Sequence, residues 1–163
     1  MCDTPRVFVD HPFSYSPTIT FCVLTRAQPS LRCAFNDIVR LKCVEVKLIR
    51  PLLHVCQGHR HQACVSAAAS AIKMIALNGH ARLKTSDLGG LPLLSALCRH
   101  TCDAVALESV LAIRNLALSH VNRGYLCDCG GTRALAHVLL KHSNDSVVCT
   151  CLPIRHCCLS EGV

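Results

Sequence analysis

The feature that most constrains this chain is an internal repeat of 41 residues. Ser70-Ala-Ile-Lys-Met-Ile-Ala-Leu-Asn78, Leu111-Ala-Ile-Arg-Asn-Leu-Ala-Leu-Ser119 and Leu152-Pro-Ile-Arg-His-Cys-Cys-Leu-Ser160 align without gaps at that spacing. A second block keeps the same period: Gly89-Gly90 lies 41 residues before Gly130-Gly131, and Arg50-Pro51-Leu52-Leu53 lies 41 before Leu91-Pro92-Leu93-Leu94. Two blocks sharing one period imply a stack of similar units, each burying its apolar face on its neighbours. At 163 residues the chain has room for about three such units and for no large multidomain enzyme.

The periodicity inside each unit is helical. Val65, Ala68, Ala69, Ile72, Ile75 and Ala76 recur at three- and four-residue steps, as do Leu107, Val110, Ile113, Leu116 and Ala117 one unit later. The glycine pairs fall between helix-length segments, where a residue with positive φ ends a helix in a left-handed cap. Pro92 can open the following helix, its φ already set. Asp103 and Asn144-Asp145 precede the longest periodic segments, which predicts N-cap roles.

This three-helix, Gly-Gly-punctuated pattern resembles the armadillo repeat. The residues that carry the resemblance are Leu111-Ala-Ile-Arg-Asn-Leu-Ala117, Asn122-Arg123 and Cys129-Gly-Gly131, with Leu135 and Leu139-Leu140 matching its second helix. The resemblance implies an all-α fold: a short right-handed armadillo-type α-solenoid of about three repeats, at roughly 37–77, 78–118 and 119–159 within 30–163. Ser30-Leu-Arg-Cys-Ala-Phe35 reads as a remnant of a preceding third helix, and residues 1–29, with four prolines, as a loosely ordered arm. In the first repeat Leu48-Ile49 replaces the glycine pair. The expected core is Leu52, Leu53, Ala68, Ile72, Ile75, Leu93, Leu94, Val110, Ile113, Leu116, Leu135 and Leu139.

The last repeat departs from the pattern. Pro153 falls inside its third helix, where a proline costs roughly 3 kcal/mol, so that helix is expected to start or kink there and to fray. Leu152, Cys157, Cys158 and Leu159 close the array with apolar and thiol side chains, whereas a solenoid end needs a polar face. The chain is therefore expected either to be a fragment of a longer array or to dock its open end on a partner, and, taken alone, to self-associate through its C-terminal end.

Composition narrows the function. Lys and Arg number 17 against 10 Asp and Glu, a net charge of +7, but no run of like charge is long enough for a nucleic-acid-binding tail. Aromatics make up 4 % and Trp is absent, which leaves few stacking platforms for RNA. No secretory signal and no apolar run of about 18 residues is present, so the expectation is a cytoplasmic or nuclear protein without a membrane span, its 14 cysteines reduced. The sequence holds no nucleophile elbow, zinc-protease helix, phosphate loop or dinucleotide fingerprint; neither an enzyme nor a cofactor is expected.

Two constellations remain. Lys73, Arg114 and Arg155 hold one position in successive third helices, and stacking would align them in a basic row, although charge on a solvated helix flank needs no further role. In armadillo proteins the third helices line a groove that holds an extended peptide, and the asparagine that Asn115 resembles bonds its backbone; Met74 and His156 stand at the equivalent places. The implied function is a non-catalytic protein-interaction scaffold binding an extended acidic peptide through Lys73, Arg114, Asn115 and Arg155. The second constellation, Cys56, His59, His61 and Cys64, has zinc-ligand chemistry without the spacing of a known finger, and a solvated loop is the competing reading. It supports the alternative function, a Cys/His-rich metal- or redox-responsive protein. Cys127-x-Cys129 and Cys149-x-Cys151 read as small buried hydrophobes.

Overall fold

The structure is a computed structural model, and it describes residues 45, 47–58 and 61–141. Seven helices follow one another from Ile49 to Lys141, with no strand among the described residues: α1 (Ile49–Gly58), α2 (Gln62–Ile75), α3 (Gly79–Asp87), α4 (Gly90–Leu97), α5 (Asp103–Leu116), α6 (His120–Asp128) and α7 (Gly131–Lys141). The starts repeat with the period of the sequence: Gln62 and Asp103, Gly79 and His120, and Ile49, Gly90 and Gly131 are each 41 apart. One complete three-helix unit, α3–α4–α5, is flanked by the second and third helices of the unit before and the first and second helices of the unit after.

Like helices stack on like. The third helices α2 and α5 make the most extensive packing in the molecule, the second helices α1, α4 and α7 pack in sequence, and the first helices α3 and α6 meet. Each layer turns an apolar stripe inward. In α2 the stripe is Val65, Ala68, Ala69, Ile72 and Ile75; in α5 it is Val105, Val110, Ala112, Ile113 and Leu116. Burying each Ile or Leu of such a stripe contributes about 1.5–3 kcal/mol.

Two expected core residues lie elsewhere. Leu93 and Leu139 are half-buried and pack against the core from its flank, while Leu91 and Val138 are fully buried. The buried stripe of α4 runs through Leu91, Leu94 and Ser95, an i, i+3, i+4 pattern that turns Leu93 about 100° aside. In α7 the stripe runs through Ala134, Leu135 and Val138, and Leu139 falls one step past it.

The glycine pairs divide their labour. Gly89 (φ 77°) and Gly130 (φ 75°) take the left-handed conformation that ends α3 and α6. Gly90 and Gly131 have ordinary φ values and are required for space: a Cβ on Gly90 would stand 2.6 Å from Thr85 Cγ2 and 2.7 Å from its carbonyl oxygen, and one on Gly131 would run into the side chain and carbonyl of Leu126. Where Leu48-Ile49 replaces the pair, Lys47 takes the left-handed turn instead (φ 56°). Pro51 and Pro92 occupy the same place in the first turn of α1 and α4, where a backbone N–H has no intrahelical acceptor to lose.

Asp103 is the first residue of α5 and not its cap. Cys102 caps the helix in extended conformation, its own N–H donating to His100 Nδ1 at 3.0 Å, and Asp103 places a carboxylate in the first turn. That carboxylate accepts from Lys141 Nζ at 2.8 Å and complements the helix dipole. Asn144-Asp145, Pro153, the C-terminal face and residues 1–29 lie outside the described residues.

Candidate functional site

The third helices carry their outward residues in register. On α2 the outward positions are Ala63, Ala67, Ser70 and Met74; one period later, on α5, they are Ala104, Glu108, Leu111 and Asn115. The i, i+3, i+4 spacing that buries the opposite stripe leaves this one exposed at Ala63 and Ala104 and half-buried at the other six positions. Two expected site residues, Lys73 and Asn115, meet across the α2–α5 seam. Asn115 Nδ2 donates to the Lys73 carbonyl oxygen at 2.8 Å, and Lys73 Nζ donates to Glu108 Oε2 at 2.6 Å, with the two charged side chains 21 % and 28 % exposed. Lys73 is thus half of an ion pair that ties one repeat to the next. Asn115 keeps one amide hydrogen and its Oδ1 beyond the bond that it makes to its own scaffold.

Arg114 differs. It is exposed, at the position that Lys73 occupies one period earlier, and makes no ion pair with a described residue. Arg155, the third member of the row, lies outside the described residues.

A second set of arginines, 41 apart, holds the units together from within. Arg82 donates from Nε to the Ala76 carbonyl at 2.9 Å and from a terminal nitrogen to that of Leu77 at 3.0 Å; Arg123 donates to the equivalent Ala117 carbonyl at 3.2 Å. Each caps the carbonyls that a third helix leaves free at its C-terminus, where cations also suit the helix dipole. Beside Arg123, Asn122 is buried and donates from Nδ2 to the carbonyls of Leu116 (3.0 Å) and Arg82 (3.3 Å), while its buried Oδ1 accepts nothing.

The cysteine and histidine constellation does not assemble into a metal centre among the described residues, where no group of three or more His, Cys, Asp or Glu is placed to hold an ion. Cys56 is buried in α1, and burial pushes its thiol up to about 12, away from the thiolate form of a redox nucleophile. His61 is the N-cap of α2, exposed, and Cys64 is half-buried in the first turn beyond it. His59 lies outside the described residues. Cys129 caps α6, its thiol raised by burial and donating to the Leu126 carbonyl at 3.5 Å. None of the six described cysteines forms a disulfide.

The stacked three-helix units are matched by solved structures. A designed armadillo repeat protein superposes with a TM-score of 0.70 at 22% identity over 76% of this chain and 52% of its own. The chain has the armadillo-repeat fold. Computationally designed armadillo repeat proteins for modular peptide recognition give a TM-score of 0.66 at 24% identity over 77% of this chain and 51% of theirs. A designed armadillo repeat protein in complex with the peptide (KR)4 gives 0.74 at 19% identity over 91% of this chain and 66% of its own. The chain therefore spans about half the length of the first two. No protein-family model and no curated protein sequence matches it. No helix among the described residues is long and apolar enough to cross a membrane.

Proposed function

We propose that this armadillo-fold chain is a non-catalytic protein-interaction scaffold that binds an extended, acidic peptide segment along the outward face of its third helices. The observation that carries the reading is the registered outward stripe of α2 and α5, with the exposed Arg114 beside Asn115. A peptide lying across stacked helices leaves backbone groups in need of partners, and the amide hydrogen and oxygen that Asn115 retains can serve both kinds. Lys73 acts differently from the other basic residues, because its pairing with Glu108 fixes the seam on which the peptide lies. Arg114 and Arg155 supply the attraction. The neighbour in complex with (KR)4 supports the use of such a stack to hold a peptide, and the basic row of this chain calls for the opposite charge.

The test is the binding of labelled extended peptides, one Glu-rich and one Lys-rich, followed by stopped-flow anisotropy at two ionic strengths. Arg114→Glu with Arg155→Glu should slow association with the Glu-rich peptide and flatten its salt dependence; Lys73 is spared because its reversal would oppose Glu108. Asn115→Ala should speed dissociation. Equal binding of both peptides, or a salt slope unmoved by the double reversal, would place the binding surface elsewhere.

A further inference from the structure

The complete and partial repeats serve as controls for one another. A position that stacking requires to be apolar is apolar in both; one that is exposed in both, and apolar in a single repeat, has another reason to be so. Val121 and Tyr125 on α6 are such positions. They lie four residues apart on one face of the helix, 59 % and 41 % exposed, and one period earlier the same places on α3 hold His80 and Lys84, both exposed. Leu118, at the corner between α5 and α6, adds a third large apolar side chain at 58 % exposure, against 38 % for its counterpart Leu77. Apolar side chains gathered on one edge and left in water mark an interaction surface.

Charge identifies the occupant. One helical turn before Leu118 stands Arg114, exposed and without an ion pair among the described residues, and His120 is exposed between Leu118 and Val121. The acid of α6, Asp128, lies at the opposite end of the strip, past Tyr125. The strip therefore runs from a basic end at Leu118 to an acidic end beyond Tyr125, within a chain of net charge +7. A second copy paired about a two-fold axis would set the basic end of one strip against the acidic end of the other, but it would also bring together two molecules of net charge +7.

We infer that the α5–α6 edge, formed by Leu118, Val121 and Tyr125 with Arg114 at its head, is a second docking surface that takes an amphipathic partner helix whose carboxylates lie at the Leu118 end. It shares Arg114 with the third-helix face, but its apolar residues Val121 and Tyr125 stand on a first helix, so substitutions there leave the third-helix face unchanged.

The probe is a short fluorescein-labelled helical peptide with Leu at i and i+4 and Glu in its first turn, titrated into the full chain and followed by anisotropy. Val121→His with Tyr125→Lys installs the pair that the preceding repeat already tolerates and should weaken binding about tenfold or more. Leu118→Gln, made separately, should weaken it about threefold. The double variant should keep its helical circular dichroism and its affinity for the extended Glu-rich peptide of the third-helix face. A counterpart with Lys in place of Glu should bind at least about tenfold more weakly, since like charge opposes it at Arg114. The inference is overturned if the wild-type chain ignores the Glu/Leu peptide, if the Lys/Leu peptide binds equally well, or if the double variant binds like wild type. It is also overturned, in favour of self-association, if sedimentation finds a wild-type dimer that the double variant dissolves.

Discussion

Replacing Gly90 by alanine separates two reasons for a glycine. By helix propensity alone the substitution should help, because an alanine in a helix is about 0.5–1 kcal/mol better than a glycine. The structure opposes it. The new Cβ would stand 2.6 Å from Thr85 Cγ2 and 2.7 Å from the Thr85 carbonyl oxygen; the methyl can turn away, but the carbonyl belongs to the backbone of α3 and can retreat only if α3 moves from α4. Overpacking of this kind costs about 1–3 kcal/mol, so the net loss should be about 1 kcal/mol. Gly89→Ala should cost a similar amount for a different reason: nothing lies within 4 Å of its Cβ position, but φ 77° is left-handed, at about 1–2 kcal/mol for an L-residue.

Thr85→Ser distinguishes the two. It removes Cγ2 and keeps the hydroxyl that donates to the Ala81 carbonyl at 2.7 Å. In a double-mutant cycle it should recover part of the Gly90→Ala loss, with a coupling of about 0.5 kcal/mol or more, and none of the Gly89→Ala loss. Recovery stays partial because the carbonyl remains. Urea unfolding followed by far-ultraviolet circular dichroism measures both; with a slope near 2 kcal/mol/M, a loss of about 1 kcal/mol moves the midpoint by about 0.5 M. A Gly90→Ala chain as stable as wild type, or a cycle with no coupling, would refute the close-approach argument.

Other substitutions test the remaining contacts. Asn78 Oδ1 accepts from the N–H groups of His80 (3.0 Å) and Ala81 (3.1 Å), so Asn78→Ala should cost about 1 kcal/mol in urea unfolding. Ser119, its counterpart, makes no side-chain cap bond, and Ser119→Asn should add a few tenths of a kcal/mol. The thiol of Cys56, about 12 in the fold against 9.0 when free, contributes stability that is whole below pH 9 and is lost as pH rises toward 12; alkaline titration should show a loss of order 4 kcal/mol that Cys56→Ala abolishes. A cycle of Lys73→Met and Glu108→Gln should give a coupling of about 0.5–1 kcal/mol, reduced by salt.

What the sequence made legible is what the period enforces. Positions that every unit must bury, such as Ile72 and Ile113, or turn with positive φ, such as Gly89 and Gly130, recur at 41 residues and can be found by alignment of the chain with itself. Arg82 and Arg123 recur in the same way and were legible in principle, but their role depends on the carbonyls of Ala76, Leu77 and Ala117, and an arginine on a helix reads first as solvated surface. Contacts between units made by residues that do not recur leave no periodic trace. Glu108 replaces Ala67 and Asn115 replaces Met74, so among the described residues the ion pair to Lys73 and the amide bond to its carbonyl occur once, at this seam, where two unlike residues face each other across stacked helices. The basic row illustrates the consequence. Identity of position made Lys73 and Arg114 look equivalent, yet a third residue, 35 positions from Lys73, ties one of them to its neighbour while the other stands in water. Breaks in the period are therefore the place to look for individuality, and Val121 and Tyr125, where His80 and Lys84 would repeat, are two of the plainest.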